Sequence, residues 1–258
     1  MFKQSFSYRC FLRDAMSLDT LCREASRIGY QGIELAFRDD AFEGLVAAAR
    51  AYGLTVASMC GHRSLQAGMN RRQEHGRILA ELHESIALAH RLGIPNLICF
   101  SGNRHDGQSD AEGLETCAAC LEQIADEAVA AGVNLNVELL NSRVDHPGYQ
   151  CDHTAWGARL CRRMNNPRVK LLFDIYHMQI MDGDIIRYIR DNIGYIGHFH
   201  TAGNPGRQDL DGAQELNYSA ICRAIADTGY DGFVAHEFRP KADPMEALRA
   251  AFAVCNVQ

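Results

Sequence analysis

Four side chains that could bind a divalent metal ion lie along the C-terminal half of the sequence, each near the end of a predicted β-strand. Glu138 ends "LNVE", Asp174 ends "VKLLFD", His200 ends "YIGHFH" and Glu237 lies in "AHEFRP". Three carboxylates placed together would repel one another and lose hydration unless a cation joined them. Oxygen-rich ligation with one imidazole nitrogen favours Mg²⁺, Mn²⁺ or a similar ion. The sequence therefore predicts one divalent metal site with these four ligands.

Each of the four ligands also has an ordinary structural interpretation. These are a helix cap for Asp174, a core histidine for His200, and ion pairs of Glu138 with Arg143 and of Glu237 with Arg239. Four separate coincidences would then be needed, whereas one shared site explains all four placements. His198 lies two residues before His200 and points to the same side of the strand. Because His200 is nearer the carboxyl end, we predict that it is the ligand and that His198 supports it from below.

Short β-rich segments alternate with helical patterns along the whole chain. The predicted strands are residues 3–8, 32–35, 54–59, 96–100, 135–139, 169–174, 195–200 and 232–238. Segments with apolar residues three and four positions apart lie between them, as in 17–29, 77–93, 115–132 and 217–229. Several end at a glycine, which accepts the left-handed backbone after a last helical turn: Gly29, Gly53, Gly93, Gly132 and Gly229.

This repetition predicts a parallel sheet with right-handed crossover connections. Eight strands are the number that closes a (β/α)₈ barrel, in which the loops after the strands form the active face. A doubly wound open sheet is the alternative, but it normally has a glycine-rich phosphate turn after its first strand. The segment "RCFLRDAMSLD" at that position contains no glycine. We therefore predict an α/β protein with a single-domain (β/α)₈ TIM barrel over residues 1–258.

The composition restricts the expected partners and location. The chain has 26 basic and 32 acidic residues and a net charge of −6, with no long block of either sign, so we expect neither nucleic acid nor an anionic membrane as partner. No apolar run approaches the ~18 residues of a membrane span, and the N-terminus carries charges where a secretory signal would be apolar. We expect a cytoplasmic protein whose ten cysteines, including the helical pair Cys117 and Cys120, are mostly reduced core residues.

The motifs around the predicted ligands resemble those of the xylose isomerase-like TIM barrels, most closely the hydroxypyruvate isomerase family. They are "DIYHMQ" (174–179), "HFHTAGNPGRQD" (198–209), "QELNY" (214–218) and "HEFRP" (236–240). This resemblance implies a metal-dependent isomerase that acts on a small hydroxy-keto acid or sugar by proton transfer through a cis-enediolate. It also implies that Glu138 and Glu237 move protons as well as bind the metal, and that His177 and Arg207 bind substrate oxygens.

One ligand departs from the family pattern and keeps other functions open. Hydroxypyruvate isomerases commonly have glutamine where His200 stands, whereas sugar 3-epimerases have histidine, so a ketose 3-epimerase of the tagatose or psicose type is the alternative. An apurinic endonuclease of the same superfamily would need more metal ligands and a basic face for DNA. A non-catalytic sugar- or metal-binding barrel is a further alternative, and the presence of both proton-transfer glutamates argues against it.

Two loops are predicted to contact the substrate. Arg207 follows "AGNP" in a flexible loop, where its guanidinium could hold a carboxylate or a sugar hydroxyl. The basic segment 60–77 is predicted to be a long loop over the barrel mouth, with His62 in contact with the substrate. The alternatives are a surface salt bridge for Arg207, packing at a helix start for His177, and a solvated surface for the long loop. Barrels of this kind often pair, so a homo-oligomer is also considered.

Overall fold

The computed structural model describes residues 1–13, 16–35, 38 and 42–257. Within them, eight parallel strands alternate with helices and form a nearly closed barrel, in the hydrogen-bonded order β1-β8-β7-β6-β5-β4-β3-β2. A parallel bridge between Ser7 and Glu34 also links the chain after the first strand to the second. The strands are β1 (Lys3–Phe6), β2 (Gly32–Leu35), β3 (Thr55–Cys60), β4 (Asn96–Cys99), β5 (Asn134–Glu138), β6 (Val169–Asp174), β7 (Ile196–Thr201) and β8 (Phe233–His236).

Helices connect the strands in the predicted alternation. No helix in the described ranges is long and apolar enough to cross a membrane. The α-helices are α1 (Tyr8–Phe11), α2 (Leu18–Ile28), α3 (Phe42–Ala51), α4 (His75–Leu92), α5 (Asp110–Leu121), α6 (Ala125–Ala131), α7 (Thr154–Met164), α8 (Ile175–Met181), α9 (Ile185–Asn192), α10 (Tyr218–Asp227) and α11 (Pro244–Cys255), with short 3₁₀ turns at Arg72–Glu74 and Ile193–Tyr195.

The sequence predicted the strands to within two residues at each end, and the prediction of a (β/α)₈ barrel is confirmed. All five glycines predicted to stop helices have positive φ, as left-handed helix ends require. The single long helix expected over 115–132 is instead two helices, α5 and α6, separated by residues 122–124. Ile124 there has a non-helical φ of −127°. Cys117 and Cys120 are buried on α5, as predicted.

The chain forms two compact units by its internal contacts. The first unit consists of Met1–Met59, Ile185–Ile193 and Phe199–Gln258. Its core contains edge-to-face aromatic pairs, with ring centroids 5.8 Å apart for Phe6 and Phe11 and 5.0 Å apart for Phe11 and Phe238. Such pairs stabilise the fold beyond what burial of the rings alone provides. They hold β1 and α1 beside Phe238, the neighbour in sequence of the predicted ligand Glu237.

A β-bulge in the first unit sets the position of a buried carboxylate. In the pairing of β2 with β3, Ile33 lies opposite Val56, but the next residue, Glu34, lies opposite Ser58. The extra residue is therefore Ala57. Bulges of this kind re-aim side chains and often occur beside active sites. Here the bulge aligns Ser58 with Glu34, and the hydroxyl of Ser58 donates a 3.0 Å hydrogen bond to the Glu34 carboxylate.

The second unit consists of Cys60–Asp184 and Gly194–His198. Its strands β4 and β5 are held in register at their amino ends by an amide cluster, in which Asn134 and Asn136 each donate to the Asn96 side-chain oxygen at 3.0 Å. A Cβ atom at Gly197 would lie only 2.1 Å from the Asn136 amide oxygen, so this close approach requires glycine. In the pairing of β5 with β6, Glu138 lies opposite Leu172, two residues before the end of β6 at Asp174.

Candidate active site

The second unit carries two buried carboxylates at the ends of neighbouring strands. Glu138 is the last residue of β5, and Asp174 is the last residue of β6. Their exposed fractions are 6% and 1%. Asp174 also caps α8, because its Oδ1 accepts the backbone N–H of His177 at 3.1 Å. The capping interpretation of Asp174 is therefore correct, and it is compatible with metal binding because a carboxylate has a second oxygen.

His177 is fully buried in the first turn of α8. Its Nδ1 receives two donors from Asn141, the backbone N–H at 3.2 Å and the side-chain amide at 2.6 Å. A nitrogen that accepts hydrogen bonds carries no proton, so the ring proton lies on Nε2. The Nε2 atom is 3.6 Å from Oδ2 of Asp174. His177 therefore directs an N–H group towards the carboxylate end of β6.

The first unit carries a second set, built around His200 in β7. The Nε2 atom of this buried histidine lies 3.0 Å from Glu34, and its Nδ1 atom lies 3.1 Å from Oε2 of Glu237. The Glu34 carboxylate can only accept, so Nε2 donates to it, and Nδ1 is the ring nitrogen that faces Glu237. Because the Glu237 carboxylate also only accepts, Nδ1 must either carry a proton or share a metal ion with it. This is the arrangement that a metal ligand pair would have.

Glu237 directly follows β8, and its backbone N–H donates to the carbonyl of Thr201 at 3.0 Å. Burial alone would raise its pKa, but the positive charge of Arg207 and the His200 ring outweigh burial and lower the pKa below its ordinary value. Glu237 is therefore ionised at neutral pH. Its arginine partner is Arg207, whose guanidinium donates to the carboxylate. The expected alternative partner was Arg239, which instead donates its backbone N–H to the Arg207 carbonyl at 2.8 Å.

The loop that carries Arg207 is held by backbone hydrogen bonds between its two ends, whereas the sequence predicts a flexible loop. Gly203 and Gln208 form an antiparallel bridge across it. A Cβ atom at Gly203 would lie 2.3 Å from the carbonyl oxygen of Asp209, so only glycine fits there. Arg207 itself has a φ of +53°, a left-handed conformation that few residues with a side chain adopt. The backbone thus fixes the position from which the guanidinium extends.

The four predicted ligands satisfy a simple distance test for one ion. Taking one ligand atom from each of Glu138, Asp174, His200 and Glu237, all four atoms lie within 4.8 Å of one another. Two ligands of the same Mg²⁺, Mn²⁺ or Ca²⁺ ion, each bound at about 2.0–2.6 Å, are separated by at most about 5 Å. The residues therefore fit a divalent cation by distance and by donor type. A second group of three, Glu34, His198 and His200, meets the same limit.

Comparison with known proteins identifies the family. A family model described as the xylose isomerase-like TIM barrel matches residues 22–255. The chain belongs to this family. A putative hydroxypyruvate isomerase of Homo sapiens is 29% identical over 242 residues, covering 88% of this chain and 85% of that protein. The 2-oxo-tetronate isomerase of Cupriavidus necator is 36% identical over 143 residues, which is 54% of each chain.

Solved structures with a similar fold agree with this architecture. An AP endonuclease of family 2 from Brucella melitensis has a TM-score of 0.82 at 27% identity and covers 96% of this chain and 97% of its own. A 3-keto-D-glucoside 4-epimerase from E. coli has the same TM-score at 21% identity, with both chains fully covered, and at that identity only the fold is shared. The relatives are named isomerases, and this chain is an enzyme of the isomerase class.

In TIM barrels, substrate contacts come from the loops after the strands. The sequence predicts that His62, in the loop after β3, makes one of these contacts. Its ring is 2% exposed, and Nε2 accepts the backbone N–H of Phe100 at 2.9 Å. Burial lowers its pKa to about 4, so it is neutral at pH 7. These contacts favour a structural role, and substrate contact by His62 stays a prediction. His198 is fully buried, in keeping with a supporting position in β7.

Two residues beside the candidate ligands had not been singled out from the sequence, namely Glu34 and Asn141. Glu34 lies in the middle of the strand segment "GIEL", and no sequence pattern distinguishes it from a residue that faces away from the site. The only signal in the sequence was a single acidic residue inside a short, otherwise apolar strand segment. Asn141 follows Glu138 by three positions, in "ELLN". Its significance depends on His177, which lies 36 residues later.

Proposed function

We propose that this protein is a metal-dependent isomerase of small hydroxy-keto acids or sugars, similar to hydroxypyruvate isomerase. The main support is the group formed by Glu138, Asp174, His200 and Glu237, which offers three oxygen ligands and one nitrogen within 4.8 Å of one another. This donor set suits Mg²⁺ or Mn²⁺. When bound there, the ion would supply Lewis acidity, stabilising the negative charge that develops on substrate oxygens during proton transfer.

Proton transfer is assigned to Glu138 and Glu237. The reaction needs a base that takes a proton from the hydroxyl-bearing carbon and an acid that returns one to the former carbonyl carbon. Glu138 is buried at the end of β5, and Glu237 follows β8 as an ionised carboxylate. The two glutamates thus come from different strands, and either can accept a proton as well as bind the ion.

Substrate binding is assigned to His177 and Arg207. The guanidinium of Arg207 bonds to a carboxylate, that of Glu237, and its planar fork would bind a substrate carboxylate by the same geometry. Hydroxypyruvate and 2-oxo-tetronate, after which the two relatives are named, are small keto acids. His177 would donate its Nε2–H to a substrate oxygen. A keto acid with an adjacent hydroxyl group uses both contacts.

A ketose 3-epimerase is the second candidate, and one observation favours it. Residue 200 is a histidine, the residue typical of the epimerases, and not the glutamine that is common in hydroxypyruvate isomerases. The same glutamates would then remove a proton from one face of a carbon and return it to the other face. The expected cytoplasmic location, the homo-oligomer and the expected lack of a nucleic-acid partner stay predictions.

A substrate screen tests this function. The purified protein, loaded with Mg²⁺ or Mn²⁺, is incubated in D₂O with hydroxypyruvate, oxo-sugar acids, ketopentoses and ketohexoses, and the products are read by proton NMR. We expect deuterium incorporation and a new isomer with one of the keto acids. An inverted ketose carbon would favour the epimerase instead. Lack of exchange with every substrate, in protein shown to hold the metal, would contradict both enzymatic functions.

A further inference from the structure

The environment of His177 determines which of its two ring nitrogens carries the proton. Its Nδ1 faces two N–H donors of one residue, Asn141, at 3.2 Å and 2.6 Å. Both contacts lie inside the second unit, where His177 and Asn141 are fully buried. Since neither donor can accept a proton, the Nδ1 lone pair must face them. The ring is thereby held as the Nε2–H tautomer.

This argument depends on the orientation of the Asn141 side chain, because its amide oxygen and nitrogen would otherwise be interchangeable. The amide oxygen accepts the backbone N–H groups of Val144 and Asp145, both at 2.9 Å. The amide nitrogen also donates to the Asp145 carboxylate at 2.7 Å. A flipped amide would direct N–H groups at two N–H donors and an oxygen at a carboxylate. Only one orientation is therefore compatible with its neighbours.

The carboxylate of Asp145 is itself held in place. The hydroxyl of Tyr176, which directly precedes His177, donates to the same Asp145 oxygen at 2.9 Å. The chain therefore forms a closed set of hydrogen bonds from Tyr176 through Asp145 and Asn141 to His177. Such networks fix a ring and its tautomer more firmly than one bond would.

We propose that Asn141 is a positioning residue that makes His177 a hydrogen-bond donor through Nε2 and excludes it as a general base. The inference rests on the proposed function, in which His177 contacts a substrate oxygen. A ring with its lone pair bound at Nδ1 offers the substrate a proton and no basic nitrogen. Its substrate partner is therefore an acceptor, a carbonyl or carboxylate oxygen. Proton removal from carbon is left to the glutamates.

The tautomer can be measured without turnover. In Mg²⁺-loaded protein labelled with ¹⁵N, long-range ¹H–¹⁵N NMR distinguishes protonated from unprotonated ring nitrogens, and the His177→Gln variant identifies the signals of His177. We expect an unprotonated Nδ1 and a protonated Nε2. A proton on Nδ1 of the wild-type protein would overturn the proposal. Since this measurement needs no substrate, failure of the substrate screen would not affect it.

Two substitutions test the role of Asn141. Asn141→Asp keeps an acceptor for Val144 and Asp145 but replaces the donor at Nδ1 with an acceptor, so a proton should appear on Nδ1. Asn141→Ser keeps the turn acceptor and removes the donor. For both we expect a loss in kcat/KM of about tenfold or more, at unchanged Mg²⁺ affinity for the serine variant.

The matched control is Asn166→Asp. Asn166 is partly exposed in the same unit, and its side-chain oxygen accepts the backbone N–H of Arg168 at 2.9 Å, which an aspartate would preserve. The control adds the same charge and should leave both the His177 tautomer and kcat/KM unchanged. If Asn141→Asp retained the Nε2–H tautomer, or if folded Asn141→Ser kept wild-type kcat/KM, Asn141 would be a structural residue and the proposal would be wrong.

Discussion

The two units each hold a buried histidine beside candidate site carboxylates, and they hold it in opposite ways. In the second unit, His177 receives the amide donor of Asn141 at Nδ1, so its proton lies on Nε2. In the first unit, His200 donates from Nε2 to the Glu34 carboxylate, so Nδ1 is the nitrogen that would bind an ion. In the proposed function, the first ring donates to a substrate and the second binds a cation. The partner of the second nitrogen, and not the histidine itself, determines the role.

The largest expected effect comes from Glu138 and Glu237, the two glutamates proposed to transfer protons. Glu138→Gln and Glu237→Gln should keep the fold and part of the metal affinity, because an amide oxygen can still coordinate. They should lose deuterium exchange from substrate by ~10²-fold or more, because an amide is not a base at neutral pH. Exchange is measured by NMR in D₂O at saturating metal.

The control for the glutamates is Glu115→Gln, an exposed residue of α5 that pairs with Arg163. It should exchange at the wild-type rate. If either site variant also exchanged at nearly the wild-type rate, that glutamate would be a ligand only, and the mechanism with two proton-transfer carboxylates would be wrong.

Glu34 provides the sharpest test of the difference between the histidines. Glu34→Gln should weaken Mn²⁺ binding by about 10- to 100-fold, because outer carboxylates orient a ligating histidine and raise its basicity. Asn141→Ser should leave Mn²⁺ affinity unchanged, since it acts on the histidine that is not a ligand. Calorimetric titration of both variants gives the affinities. Equal effects of the two substitutions would remove the distinction between the rings.

Arg207 is expected to affect substrate and not metal. Arg207→Ala should lower kcat/KM by about 10- to 100-fold, the effect of losing a charge-assisted contact, while metal content measured by mass spectrometry stays unchanged. Arg27→Ala, which removes an exposed arginine of the same unit paired with Glu24, is the control. Unaltered kinetics in the Arg207 variant would make this residue a partner of Glu237 alone.

The smallest effect concerns the buried histidine His62. Burial lowers the pKa of His62 from 6.5 to about 4. The unfolded chain therefore binds a proton more readily, so the contribution of neutral His62 to stability is complete above pH 6.5 and is lost as the pH falls towards 4. Between pH 7 and pH 5, the free energy of unfolding measured with a denaturant should fall by on the order of 1–2 kcal/mol less in His62→Gln than in the wild-type protein. The glutamine amide oxygen can still accept the backbone N–H of Phe100.

The exposed residue His83 is the control for this measurement, since it pairs with Glu127 at the surface. His83→Gln should lose as much stability in acid as the wild-type protein. An unchanged acid loss in His62→Gln would show that burial of His62 is not a source of acid sensitivity.

The sequence predicted that Glu138 and Asp174 lie at strand ends because those positions depend on local pattern. Glu138 and Asp174 end apolar strand segments, and Asp174 is followed by a helix, so alternation and strand length were sufficient to place them. The hydrogen-bond partners of the two histidines could not be predicted. Glu34 reaches His200 across 166 residues through a bulge in the pairing of β2 with β3, and Asn141 reaches His177 across 36 residues. Such contacts depend on tertiary register, which leaves no short-range periodic signal.

The most direct test of the central claim is the position of one metal ion. In crystals of the wild-type protein grown with Mn²⁺, anomalous diffraction should show one strong peak, bound by oxygens of Glu138, Asp174 and Glu237 and by Nδ1 of His200, with Nε2 of His200 still bonded to Glu34. A peak between Glu34, His198 and His200 would instead select the second group of ligand atoms. That result, or coordination of His200 through Nε2, would contradict the account.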